Sequence, residues 1–208
     1  MARVLGPKCR ICRRLGTKLF LKGSRCETQR CAIEKRNRPP GQHGEKRVRL
    51  TDYGLHLREV QRAKKMYGVM HRQFTRYYDE AIRKPGNTGD YLIQILERRL
   101  DSVVHRLGFG LSRDHARQLI RHGHLRVNGK RVTVPSYQVS SGDAIEPGKR
   151  EKSRKLVAEA YAQRKDLELP SWLKVEAEAL KAIVVQLPTT AELRTPLESQ
   201  LIVEYMSR

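Results

Sequence analysis

Residues 125–134 read Leu-Arg-Val-Asn-Gly-Lys-Arg-Val-Thr-Val, an apolar/polar alternation interrupted once by Asn128-Gly129. An Asn-Gly pair accepts positive φ at both central positions of a two-residue turn, and that turn twists its flanking strands together in a tight antiparallel hairpin. The pattern turns Leu125 and Val127 inward and Arg126 outward on the first strand, then Val132 and Val134 inward on the second. Tyr137 and Val139 continue the alternation up to a turn at 140–143. A hairpin with one apolar face needs a partner layer, and the preceding residues supply one.

Leu92, Ile95, Leu96, Leu100, Val103, Val104 and Leu107 recur at helical spacing. They predict one helix over about 91–107, stopped at Gly108. Ser112 is placed to cap a shorter helix that buries Ala116, Leu119 and Ile120, and Arg113, Arg117 and Arg121 repeat every four residues as a ridge on it. Two helices and several strands over about 98–150 make a small α/β module with a basic exposed side.

Upstream, Thr51 is a plausible N-cap for a helix carrying Tyr53, Leu57, Val60 and Tyr67 and ending at Gly68. Phe74, Tyr77, Tyr78, Ala81 and Ile82 form a second apolar stripe that stops at the turn residues 84–89. Residues 51–97 are therefore read as a helical domain, completed by part of the C-terminal region. Residues 151–208 contain a helix over 151–165, a stretch around Trp172, a strand at 182–187 and a final alternating run at 201–205, packing on the preceding domains. The predicted class is α+β, with antiparallel strands and a β-hairpin.

Residues 1–50 have little apolar periodicity and read as loops organised by a metal and by a polyanion. Cys9-x2-Cys12 and Cys26-x4-Cys31 are two close pairs separated by thirteen residues. Four thiolates suit a closed tetrahedral zinc site with no open catalytic position. An iron–sulfur cluster and free or redox-active thiols are the alternatives. The neighbouring cations Lys8, Arg10, Arg13, Arg14, Arg25 and Arg30 favour thiolates and offset the negative charge of the metal–thiolate group.

The whole chain carries 43 Lys and Arg against 22 Asp and Glu, a formal net charge of +21. Such a chain repels itself unless a polyanion neutralises it. The excess is graded, with 15 basic and 3 acidic residues in 1–50 but 9 and 9 in 151–208, so the contact surface begins at the N-terminus. No run approaches eighteen apolar residues, which argues against a membrane partner. The first ten residues lack the apolar stretch of a secretory signal, so a reducing, cytoplasmic compartment is expected.

Residues 98–145 closely resemble the RNA-binding module named after the fourth protein of the small ribosomal subunit, through Arg99-Leu100-Asp101, Leu107-Gly108, Ser112 to Gly123 and Val127-Asn128-Gly129. Residues 1–14, 39–47, 57–69, 72–81 and 201–208 extend the resemblance in order along nearly the whole chain. The sequence is thereby identified as a member of the bacterial-type family of that protein. The resemblance implies a primary binder of small-subunit ribosomal RNA at a multi-helix junction near its 5′ end, nucleating assembly of the body. The resemblance further implies that a helical domain and the α/β module together clasp the junction. It also implies contact with the fifth small-subunit protein, an influence on decoding accuracy, and a place at the messenger-RNA entrance, for which Lys46, Arg47 and Arg49 are the candidates.

RNA binding is assigned to Arg3, Lys8, Arg10, Arg13, Arg14, Lys22, Arg25, Arg36, Gln42 and His43 in the N-terminal segment, and to Arg113, Arg117, Arg121, His124, Arg126, Lys130 and Arg131 in the module. A-form RNA hides its major-groove edges, so junctions are read by shape, phosphates and 2′-hydroxyls, a task suited to arginine forks. His115 and His122 are candidates for phosphates or for capping. An RNA-modifying enzyme of the pseudouridine-synthase type is the rival reading, because the same module occurs there and residues 99–101 resemble the start of a catalytic-aspartate motif. A zinc-containing DNA-binding regulator is a third. No small-molecule substrate is expected.

Overall fold

A computed structural model describes residues 4–44, 49–164, 168–189, 192 and 195–208. The contacts divide the chain into two compact units, one from the described residues of Met1–Ile93 and Thr195–Arg208, the other from those of Gln94–Arg194.

In the first unit the cysteine-bearing segment is more regular than the loops expected of it. Helix α1 (Lys8–Leu15) starts after Pro7 and ends at Gly16, whose φ of 68° is the left-handed C-terminal stop. A 3-10 turn spans Gly23–Cys26, and α2 is the single turn Ala32–Lys35. Leu15, Leu19 and Leu21 are buried, a small apolar core too irregularly spaced to show as a period.

Thr51 caps α3 (Asp52–Met66), its hydroxyl accepting from Gly54 N at 3.2 Å, and α4 (His71–Ile82) buries Phe74, Tyr77, Tyr78 and Ala81. Ile82, expected on that stripe, is exposed. The residues read as a stop after α4 also start α5 (Thr88–Glu97). The alternating run at the C-terminus is a helix here, α9 (Ser199–Met206), because it lies along α3. Tyr53 and Tyr205 approach hydroxyl to hydroxyl at 3.3 Å, Tyr78 donates to Val203 O, and buried Glu59 accepts from Glu198 N at 3.1 Å.

In the second unit, the helix expected over 91–107 is two helices. Helix α6 (Leu100–Arg106) follows an extended Arg99 with ψ of 136°. The break has a non-local cause: the loop at 135–139 runs alongside, so Leu100 N donates to Tyr137 O, Asp101 N to Pro135 O, and Val139 N to Arg98 O. These bonds satisfy two of the N–H groups that a helix start leaves open. Helix α7 (Arg113–Arg121) is capped by Ser112 Oγ, which accepts from His115 N at 3.2 Å.

Five antiparallel strands follow: β1 (Leu125–Val127), β2 (Lys130–Arg131), β3 (Ala144–Pro147), β4 (Leu173–Glu176) and β5 (Lys181–Val184), in the order β2-β1-β3-β5-β4. Helix α8 (Glu151–Ala162) connects β3 to the region of β4. Val127 pairs with Lys130 across the predicted turn, and Asn128 and Gly129 have φ of 49° and 74°. The second hairpin strand is shorter than expected. Val134 is 49% exposed, because the chain leaves the ladder to pair with the start of α6. Leu100, Val103, Val104, Leu107, Phe109, Leu119, Ile120, Val139 and Trp172 make one core beneath the sheet.

Candidate nucleic-acid interface

The arginine ridge of α7 is not a single exposed face. Arg99 is 2% exposed and clamps Asp101 in a fork, Nε to Oδ1 at 3.0 Å and Nη2 to Oδ2 at 2.6 Å. Arg117, itself buried, approaches Oδ2 of the same carboxylate at 3.4 Å. Burial lowers the Arg117 pKa and Asp101 opposes that shift. Arg113 is buried beside Glu97 at 3.6 Å, and Arg106 forks the same carboxylate at 2.7 and 3.1 Å. Of the three ridge arginines, Arg121 alone is exposed. A period of four places side chains on one helical stripe, and this stripe includes the border of the core, where buried carboxylates hold two of its three guanidinia. That correction removes Arg113 and Arg117 from the free phosphate-binding surface.

His105 lies within this network, and its pKa is pushed down to about 2, first by burial and then by Arg113, Arg164 and Arg106. The unfolded chain protonates it near the ordinary value, about 6.5. Its contribution to stability is therefore fully present above about 6.5 and is lost as pH falls toward 2, by about 1.4 kcal/mol per pH unit. Between pH 7 and pH 5 the loss is about 2 kcal/mol. Urea titrations of wild type and His105→Leu should show the variant with that much less pH dependence; superimposable profiles would mean that the imidazole is solvated.

Of the other histidines, His115 is occupied locally, its Nδ1 accepting from Leu111 N at 3.3 Å. Asn128 does more than turn the hairpin: Nδ2 donates to Asp143 Oδ1 at 2.7 Å, and Oδ1 accepts from Ala144 N at 2.8 Å, tying the turn to β3. Arg126 stands 3.8 Å from Glu146 on the neighbouring strand, while Lys130 and Arg131 are exposed. His124 is half-buried, with Nδ1 3.0 Å from Ser153 Oγ. Near it lie His122, Arg131, Arg150 and Lys152, of which Arg150 and Lys152 were not among the sequence candidates. Their signal was the basic run 149–155 at the start of α8, which reads on sequence only as helix polarity.

In the first unit, Arg10, Arg14, Gln42 and His43 line one groove, together with Arg58 and Lys65. Arg13 is occupied at the surface, donating to the carbonyls of Arg38 and Pro39, and Lys8 donates to Val4 O. Lys22, Arg25, Arg36 and Arg49 are exposed. Arg3, Lys46 and Arg47 lie outside the described residues.

Cys9, Cys12, Cys26 and Cys31 line one cavity of about 20 Å³ between α1, the 3-10 turn and the start of α2, and all four are free thiols. Lys22 N donates to Cys26 Sγ at 3.3 Å, and the Leu19 backbone bonds to Cys12. Burial is the first cause pushing the Cys12 and Cys26 thiols up, and the other cysteines add to it. Among the described residues, no three His, Cys, Asp or Glu side chains stand in an arrangement that could hold a metal as they are.

The description "Ribosomal protein S4/S9 N-terminal domain" matches residues 3–97, and "S4 domain" matches residues 98–145. A protein named "Small ribosomal subunit protein uS4" from Thermodesulfovibrio yellowstonii is 50% identical over 208 residues, all of both chains. The chain belongs to the uS4 family of small ribosomal subunit proteins. Family members of the same printed name from Dictyoglomus turgidum and Halothermothrix orenii are 50% and 49% identical, again over the full length of both chains.

Membership of the uS4 family makes this chain a structural protein of the small ribosomal subunit rather than an enzyme. Asp101, the residue that tempted the catalytic reading, is 3% exposed and fully engaged by Arg99 and Arg117, so no base could reach its carboxylate.

Proposed function

We propose that the chain binds small-subunit ribosomal RNA at a multi-helix junction near the 5′ end of that RNA and nucleates assembly of the body there. The observation that carries this reading is charge segregation in the second unit. The carboxylates of Glu97 and Asp101 are buried against guanidinia, Asp143 is buried against Asn128, and Arg121, Lys130, Arg131, Arg150 and Lys152 remain exposed with no carboxylate partner among the described residues. These buried carboxylates are withdrawn from the surface, and the five exposed cations are left suited to phosphates. Contact with the fifth small-subunit protein, decoding accuracy and the messenger entrance belong to the same reading, with Lys46, Arg47 and Arg49 toward the messenger.

Hydroxyl-radical footprinting of the full chain on protein-free small-subunit ribosomal RNA tests it. Protections gathered at one junction near the 5′ end are expected; weak protection spread evenly over the RNA would overturn specific docking.

Zinc is the second part of the proposal. Cys9, Cys12, Cys26 and Cys31 would hold one ion, supplying a crosslink and no chemistry. The free thiols and the one cavity that all four line support it, and four thiolates at this spacing suit a closed tetrahedral ion. Backbone N–H groups directed at Cys12 and Cys26 favour the thiolate forms that a metal needs, against the burial that pushes both thiols up.

A further inference from the structure

Helix α1 carries Cys9 and Cys12 one turn apart on the same side, whereas Cys26 ends the 3-10 turn and Cys31 precedes α2. Three residues of α-helix separate two Cα atoms by about 5 Å, inside the span that a disulfide bridges. No single element sets such a spacing for the second pair. The start of α1 is also adaptable. Arg10 N reaches back to Pro7 O at 3.1 Å in a 3-10-type bond, and the first N–H groups of a helix have no partner inside it, so Cys9 can shift without breaking the ladder.

Exposure separates the four sulfurs. Cys12, Cys26 and Cys31 are each 8% exposed, and Cys9 alone of the four is only half-buried. An oxidant arriving from solvent therefore meets Cys9 first. Lys22 and Arg25, both exposed, line the same cavity and favour the negative charge that leaves a peroxide when its O–O bond breaks. Cys26, Cys9 and Cys31 all act electrostatically on Cys12, so the four are mutual neighbours, and the shared helix turn decides which one answers Cys9.

We propose that Cys9 and Cys12 form a peroxide-sensitive pair in which Cys9 takes the oxidant and Cys12 resolves it, so that oxidation empties the metal site of the N-terminal segment. The proposal rests on the reading of the four cysteines as a zinc site. Cys9 Sγ, a thiolate when it serves as a ligand, attacks one oxygen of hydrogen peroxide; the O–O bond breaks and hydroxide leaves, giving the sulfenic acid. Cys12 Sγ, likewise a thiolate, attacks that sulfur, the S–S bond forms, the S–O bond breaks and a second hydroxide departs. Together the two sulfurs give up two electrons, which the peroxide takes. Cys26 and Cys31 alone cannot close a tetrahedral site, so they no longer hold the ion. A thiol reductant reverses the oxidation. Helix α1 also supplies Arg10, Arg14 and Leu15 to the groove shared with Arg58, whose Nη2 donates to Leu15 O at 2.7 Å, so the same event loosens one basic wall of this unit.

The test adds hydrogen peroxide to the zinc-loaded full chain, follows released zinc with a chromogenic indicator, then alkylates the remaining thiols and maps the peptides. Trypsin cuts after Arg10, so a Cys9–Cys12 disulfide is read as two linked peptides. That link should appear in step with zinc release, and a dithiol reductant should restore uptake to about one equivalent. Cys9→His keeps a zinc ligand but removes the reactive sulfur, and it should slow release about tenfold or more. Cys31→His should release zinc at the wild-type rate. A link from Cys9 to Cys26 or Cys31, or a zinc-loaded Cys9→His that loses its metal as fast as wild type, would overturn the pair and leave the zinc reading intact. A fully reduced wild type that takes up no zinc before any peroxide is added would overturn both.

Discussion

Asp101→Ala is expected to destabilise the second unit by about 3–5 kcal/mol. The carboxylate is 3% exposed, receives a two-point fork from Arg99 and lies against Arg117. Removing it takes that counter-charge from two buried guanidinia, and the cost is chiefly their desolvation rather than the lost attraction. Asp101→Asn keeps the volume and one acceptor and should cost less. Arg99→Met/Asp101→Leu removes one buried pair but leaves Arg117 facing the site without the carboxylate, so it should recover only part of the loss. Urea unfolding followed by Trp172, 1% exposed in the same core, measures all three. A loss below about 1 kcal/mol for Asp101→Ala would show that water reaches the pair, as it does in surface ion pairs.

Zinc removal should have the other large effect, confined to the first unit. Structural zinc contributes ~10–16 kcal/mol in small zinc-finger peptides, a scale larger than the core of Leu15, Leu19 and Leu21 can replace. Gently purified protein should carry about one equivalent of zinc. A strong chelator should strip hydrogen-exchange protection from α1 and the 3-10 turn and leave α6 and α7 protected. Cys12→Ser should mimic the chelator, because Cys12 is a buried member of the set. A brown chromophore, or protection of α1 that survives complete metal removal, would end the zinc reading.

The hairpin was legible from residues 125–131 alone. A two-residue Asn-Gly turn determines its own register through backbone angles that few other residues adopt, and Val127 does pair with Lys130. The cap at Ser112, the apolar positions Leu119 and Ile120, and the stripe of α4 were equally local, since each depends on neighbours three or four residues away. The paired cysteines announced a shared site, and their four side chains line one cavity. Residues 98–101 went the other way: their helical period is sound, but a loop more than thirty residues downstream competes for the same backbone groups.

The charges divide along the same line. Sequence determines how many cations the chain carries and that they outnumber the carboxylates. It does not say which are spoken for. Arg113 and Arg117 are buried beside Glu97, the last residue of α5, and Asp101 on α6, sixteen residues before each, and they meet only once the chain has folded. Arg150 and Lys152 join Arg131 because β3 pairs with β1 and carries the start of α8 to the hairpin. Periodicity is a property of one element and is written in its own residues. Burial and charge pairing belong to two elements in contact, and only the tertiary structure chooses the partners.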